Sequence, residues 1–230
     1  MDAPQAGRPS LVVDVVSDVV CPWCYLGKRR LAAAIAMVPE VEATVRWHPF
    51  QLDPSVPAGG MSREEYVRRK FGDPRRLDAA HARLVAFGRA EGVDYRFERI
   101  TRSPNTIDAH RMVRWTEVER QEEAVEALFR AYFTEGRDVG DHAVLAEIGA
   151  AVGLDPATTR RRLATEESVA AVSSEIEEAY RIGVNAVPCF IIGGRYAVMG
   201  AEAPATIAKA IRTAAAAAAE ASQLPRTGTA

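Results

Sequence analysis

Leu11-Val12-Val13-Asp14-Val15-Val16-Ser17-Asp18-Val19-Val20-Cys21-Pro22-Trp23-Cys24 is the stretch on which the fold of this chain turns. Leu11 to Ser17 is β-branched and nearly continuous, as expected of a strand buried on both faces. After Val20 the period changes. Trp23, Leu26, Leu31 and Ile35 form an imperfect helical stripe that runs to about Met37 and stops at Pro39. Val41, Ala43, Val45 and Trp47 then alternate with Glu42, Thr44, Arg46 and His48, which predicts a second strand. The opening unit is β-α-β, implying parallel strands joined by a right-handed crossover.

Outward from this unit, residues 62–182 are almost wholly helical by pattern. Ser62-x-x-Glu65 is a capping box ahead of Tyr66, Val67 and Phe71. Gly and Pro signals delimit helices near 75–91, 105–119, 121–135, 141–152, 156–164 and 167–182, with Val93 to Ile100 as a short extended segment. Val187 to Ile192, Gly193-Gly194 and Arg195 to Met199 predict a hairpin with a two-residue glycine turn. An alanine-rich helix over 203–221 follows. Neither β portion is large enough to stand alone. The expected fold class is therefore α/β, with a β-α-β … β-β-α core over 11–61 and 183–221 and an inserted helical subdomain over 62–182. Residues 1–10 and 222–230 read as flexible termini.

The 230 residues carry 29 Lys+Arg against 31 Asp+Glu, a net charge of −2 with the two signs interspersed. No one-signed excess suggests nucleic acid or an anionic membrane, and neither is expected as a partner, although the bulk charge itself is uninformative about partners. Met1 to Ser10 has no apolar run of the kind a signal peptide needs, and no stretch is long enough to span a bilayer. Three cysteines, an odd number, do not read as a disulfide framework, so the expected compartment is the cytoplasm.

The order of elements puts Cys21 at the junction of the first strand and its helix. There the helix start offers partial positive charge and free N–H groups that stabilise a thiolate. Cys24 lies one turn on, within reach of the roughly 4.4–6.8 Å Cα separation of a disulfide. Pro22 fits the first helical position, where its missing N–H costs nothing. The pair reads as an exposed nucleophile and a more buried resolving thiol. Half of a zinc site is the competing reading, but zinc needs two further ligands and only Cys189 and four scattered histidines remain; no metal is expected. Pro188, opening a strand, suggests a special backbone geometry. A cis Val187–Pro188 bond is the natural candidate, presenting the Val187 backbone beside the thiols to an extended substrate.

Ser17 to Lys28, around Cys-Pro-Trp-Cys, resembles the active-site segment of the DsbA-like thioredoxin family, specifically its cytoplasmic FrnE-type branch. Trp47-His48-Pro49-Phe50-Gln51-Leu52, Pro104-Asn105-Thr106-x-x-Ala109-His110-Arg111, Ala131-Tyr132-Phe133 and Val187-Pro188 resemble that branch in order and spacing, over about residues 11–212. The resemblance implies a thioredoxin-like core with an inserted helical domain, a Cys-x-x-Cys site and a cis-proline opposite it. Two departures are Ala186, where a glycine is expected, and the extra thiol Cys189. The same superfamily includes 2-hydroxychromene-2-carboxylate isomerases and kappa-class glutathione transferases, which usually carry serine where Cys21 stands.

The expected activity is thiol–disulfide exchange with protein or glutathione thiols and disulfides, with no cofactor required and glutathione as a redox partner. A glutathione-dependent isomerase or transferase of a small aromatic compound is the second reading, and a redox-controlled binding protein the third. The oligomeric state is left open, a homodimer being one option. Asp14 interrupts the first strand, either as a buried carboxylate relaying a proton to Cys24 or as a structural charge paired with a neighbour such as Arg46. Trp23 is expected partly exposed, a flat contact for substrate. Asn105 and His110 are candidate substrate contacts, with helix capping and a structural role as the competing readings. Lys28, Arg29 and Arg30 are either a solvated helix face or a lure for a glutathione carboxylate. Trp115, Phe129, Tyr132 and Phe133 fall at helical spacing and read as core of the insert.

Overall fold

The alternation of Leu11, Val13 and Val15 with Val12, Asp14 and Val16 builds β1 (Ser10–Ser17) in the computed structural model, which describes residues 8–223. Then come α1 (Pro22–Ala36) and β2 (Glu42–Pro49). β1 and β2 run parallel, Val13 aligned with Val45 and Ser17 with Pro49. The chain leaves the sheet as β3 (Met61–Ser62), α2 (Arg63–Phe71), α3 (Arg75–Ala90) and β4 (Arg102–Ser103). It continues as α4 (Ile107–Trp115), α5 (Gln121–Phe133), α6 (His142–Ala151), α7 (Pro156–Leu163) and α8 (Val169–Arg181). It returns as β5 (Cys189–Ile192), β6 (Tyr196–Met199) and α9 (Pro204–Gln223). The sheet order is β2-β1-β5-β6, with β5 antiparallel to β1 and β6 antiparallel to β5. This is a thioredoxin-like α/β core with a large inserted helical subdomain.

Several local expectations need correction. The β5–β6 connection is three residues, not two: Ile192 aligns with Tyr196, Gly193 and Gly194 both take positive φ, and Arg195 N–H donates to the Ile192 carbonyl. Val93 to Ile100 is not extended but carries one 3₁₀ turn at Phe97–Arg99. The short β3–β4 pair, Met61 aligned with Ser103, had no sequence signal. The helix expected over 105–119 is shorter, because Thr116 leaves it with extended backbone. β1 already includes Ser10, the Pro9 carbonyl accepts from Glu42 N–H at 2.9 Å, and α9 runs to Gln223; of the two expected flexible termini, 1–7 and 224–230 lie outside the described residues.

Helices α1 and α9 cover one face of the sheet, and α8 packs against β2 from the other. Phe129, Tyr132 and Phe133 are buried as expected, Phe133 packing on Tyr95, Phe97 and Tyr132 within the insert, and Phe129 and Phe133 also pack on α1. Tyr25 stacks on Phe129 at 5.0 Å and lies 6.2 Å from Phe133, so insert and sheet share one apolar core. Trp115 is the exception, half-buried at the rim with its Nε1–H on Ser168 Oγ and the Arg162 guanidinium over its ring.

Candidate active site

Cys21 is the N-cap of α1 (φ −89°, ψ 112°), with Pro22 in the first helical turn. Its N–H donates to the Asp18 carbonyl at 2.9 Å, and its own carbonyl accepts from the N–H groups of Cys24 and Tyr25. The thiol reaches the Val187 carbonyl at 3.6 Å, and the Val187–Pro188 peptide is cis. Both thiols are enclosed: Cys21 is 3% exposed and Cys24 1%, and all three cysteines are free. The expectation of an exposed nucleophile is thus corrected. The loop before β5 folds back over Cys21, a long-range closure that no local pattern announces. Burial pushes the Cys24 thiol well above its ordinary range, and the adjacent Cys21 sulfur pushes the same way, while the Ser17 hydroxyl and the Asp18 backbone pull it back. Trp23 is half-buried, its ring 6.4 Å from Phe87 of α3.

Sequence reasoning missed two neighbours of the pair. Tyr95, in the insert, donates its hydroxyl to the Pro22 carbonyl at 2.6 Å, and burial holds it un-ionised far above its usual range. Asp18, 1% exposed, accepts from the N–H of Leu52 at 2.8 Å and of Val20 at 3.4 Å, locking the loop that delivers Cys21. An acidic residue three before the first cysteine was the signal available for it.

Asp14 does not join the thiols. It lies on the sheet face opposite α1, aligned with Arg46, yet its carboxylate pairs with His48 Nε2 at 2.8 Å. Arg46 and His48, two apart on β2, both share the face of Asp14, and the carboxylate takes His48. The reading as a structural charge paired with a neighbour holds with His48 in place of Arg46, while the relay to Cys24 fails because Asp14 faces α8 and not α1. His48 Nδ1 approaches Glu175 of α8 at 3.8 Å. The Glu175 contact raises the His48 pKa, burial opposes it, and Asp14 adds to the rise.

His110 is buried, its Nε2 2.9 Å from the Phe50 carbonyl and 3.6 Å from Asp18. Asn105 accepts from Ile107 N–H at the start of α4 and donates to the Val56 carbonyl at 2.8 Å. Both side chains tie the 50–56 loop beside the site to α4. Lys28, Arg29 and Arg30 form no open cationic face. Lys28 is buried between Glu122 (2.5 Å) and Glu126 (2.9 Å) of α5, Arg29 pairs with Glu126, and Arg30 with Glu91 (2.8 Å). Cys189 is fully buried in β5, aligned with Val16, as a small apolar filler. Among the described residues no three His, Cys, Asp or Glu gather as metal ligands, and no helix is long and apolar enough to cross a membrane.

Two thiols at the start of the first helix of this sheet, faced by a cis-proline loop, define the thioredoxin-fold class. The chain belongs to the DSBA-like thioredoxin domain family, whose model matches residues 12–212. It is similar to a probable DsbA oxidoreductase from Streptomyces coelicolor, with 29% identity, 95% of this chain and 94% of that one covered, and a TM-score of 0.81. It is 28% identical to the uncharacterized protein YwbO of Bacillus subtilis (strain 168) over 79% of this chain and 86% of the relative. The cytosolic disulfide reductase DsbM from Pseudomonas aeruginosa, solved with GSH, shares the fold at 20% identity and a TM-score of 0.58, covering 93% of this chain and all of that one. A 2-hydroxychromene-2-carboxylate isomerase shares it at 17% identity and 0.69, over 91% and 98% of the two chains. Family and neighbours place the chain in the general class of thiol oxidoreductases.

Proposed function

We propose that this protein is a cytoplasmic thiol–disulfide oxidoreductase working through Cys21 and Cys24. The observation that carries the reading is the contact of two free thiols at the first turn of α1, with the Val187 carbonyl on the Cys21 sulfur. Burial holds Cys24 as a thiol near neutrality, so Cys21 is the attacking partner. Its thiolate displaces one sulfur of a substrate disulfide, which leaves as a thiolate, and a mixed disulfide remains on Cys21. Cys24 loses its proton, attacks the Cys21 sulfur and expels the second substrate thiolate, leaving a Cys21–Cys24 disulfide. Run backwards, the same steps oxidise a substrate dithiol. The Val187 backbone is the edge along which an extended substrate aligns. Thiol or disulfide substrates, protein or glutathione, fit this chemistry, and no metal or organic cofactor enters it; the fold shared with GSH-bound DsbM supports glutathione as redox partner.

The test compares Cys21→Ser with Cys24→Ser in reduction of oxidised glutathione and of insulin, beside isomerisation of a chromene carboxylate. Cys21→Ser should abolish exchange, and Cys24→Ser should accumulate a mixed disulfide visible by intact mass. Isomerase turnover that survives Cys24→Ala, in a parent protein with no disulfide exchange, overturns the proposal.

A further inference from the structure

β2 is an edge strand, and around its C-terminal end α4, α5 and α8 enclose a cavity of about 70 Å³. Trp47 and Val125 wall it on the α1 side of the sheet, and His48, Val172 and Glu175 on the α8 side. A single water needs roughly 10–15 Å³ of such space and two to four polar partners. At the inner end is Ser17, whose hydroxyl is buried with no nitrogen or oxygen partner and faces the Cys24 thiol, whose ionised form it favours. At the outer end His48 and Glu175 retain 39% and 34% of their side-chain exposure. The space therefore passes around the strand edge, from a buried hydroxyl to two titratable groups in contact with solvent.

We infer that this cavity is a water-filled proton exit for Cys24, running through Ser17 to the His48–Glu175 pair at the surface. The inference rests on the dithiol reading. When Cys24 attacks the Cys21–substrate bond its sulfur must lose a proton while the leaving sulfur takes the electron pair, and the enclosed thiol has no direct path to bulk water. Asp18, the carboxylate in the adjoining loop, has each oxygen on a backbone N–H and lies off the cavity wall. His48 is the acceptor with a suitable working range. The groups facing it are Asp14 of β1, Glu175 and Glu178 of α8, and His110 and Arg114 of α4, with Arg114 paired to Glu175. These acids favour the protonated ring, so the neutral, accepting form gains as pH rises above His48's ordinary value near 6.5.

The experiment mixes the fully reduced protein with a symmetric nitrobenzoate disulfide that releases a coloured thiolate. Release comes in two phases, the first from attack by Cys21 and the second from resolution by Cys24. Ser17→Ala and His48→Gln should each lower the ratio of second to first rate about tenfold, modest for a proton-transfer group. Ser17→Thr, which keeps the hydroxyl, should restore the ratio. Val172→Ile, which narrows the cavity and removes no titratable group, should lower it. The second phase of the parent should rise with pH through the neutral range, and His48→Gln should flatten that rise. Unchanged ratios in Ser17→Ala and Val172→Ile, or a loss confined to Asp18→Asn, overturn the proton exit alone. A parent protein that releases no second thiolate overturns the dithiol reading and the exit with it.

Discussion

Gly27 shows how one missing methyl positions the reacting groups. Inside a helix glycine costs about 1 kcal/mol relative to alanine. A Cβ at Gly27, however, would stand 2.6 Å from Pro188 Cγ and 3.2 Å from Phe190 Cζ. The bare backbone thus lets the Pro188 loop lie against α1, which brings the Val187 carbonyl to Cys21. Gly27→Ala should improve helix propensity and still destabilise the protein, by about 1–3 kcal/mol, since packed interiors resist an added methyl. It should also slow the first step of exchange by displacing Val187. Urea unfolding and the first-phase rate measure the two effects, and a variant more stable than the parent would show that the close approach is not needed. The glycine was visible in Cys-Pro-Trp-Cys-Tyr-Leu-Gly-Lys, but its reason was not, because Pro188 lies some 160 residues away in sequence.

At the scale of elements, the largest fully buried side chain is a charged one. Arg111 of α4, 1% exposed, donates to the carbonyls of Arg162 (2.7 Å), Leu163 (3.3 Å), Thr165 (2.7 Å) and Glu167 (2.6 Å), and to Asp108. These carbonyls belong to the end of α7 and the turn into α8, where a helix leaves its last acceptors unpaired. Arg111→Lys keeps the charge but loses the planar fork, and a lone ammonium cannot reach so many acceptors. The expected loss is on the order of 3 kcal/mol, the scale of a broken buried charge network. Faster amide exchange over 162–168 should accompany it. A loss under about 1 kcal/mol, with unchanged exchange, would mean that these carbonyls are satisfied without Arg111. Helix positions here were legible from local punctuation, as the Ser62 hydroxyl accepting from Glu65 N–H illustrates. The inward turn of Arg111 and Lys28 was not: a charged residue on a helix reads as solvated, and only partners far along the chain reverse that reading.

Across the whole molecule, the order β-α-β, helical insert, β-β-α was readable because period and punctuation are local. The way the insert closes the site was not, since Tyr95, Glu126 and His110 reach α1 and its loop from separate segments of 62–182. Those closures are partly ionic, which gives the fold a pH window. In Glu126 burial pushes the carboxyl up, but the Lys28 ammonium and the Arg29 guanidinium prevail and hold it below its ordinary value. Glu175 is held low by its contact with His48, against burial, with Arg114 helping. Groups lowered in the folded state contribute stability that is present above the unfolded carboxyl value near 4.3 and lost as pH falls through the folded one. His48 is raised, so its share is complete below about 6.5 and disappears as pH rises through the folded value. These groups together favour a thermal midpoint highest between roughly pH 4.3 and 6.5, while His81, lowered by burial and by Arg63, works against them and takes stability away as pH falls below about 6.5. Removal of each partner separates the limbs. His48→Gln should abolish the decline from pH 6.5 upward, to the extent that His48 bridges Asp14 and Glu175, while Glu126→Gln should make the acid limb shallower and leave the alkaline one in place. Added salt should weaken the His48 contribution more than that of Glu126, because Lys28 is buried and His48 is not. An alkaline decline that persists unchanged in His48→Gln would remove His48 as the link between α8 and the sheet.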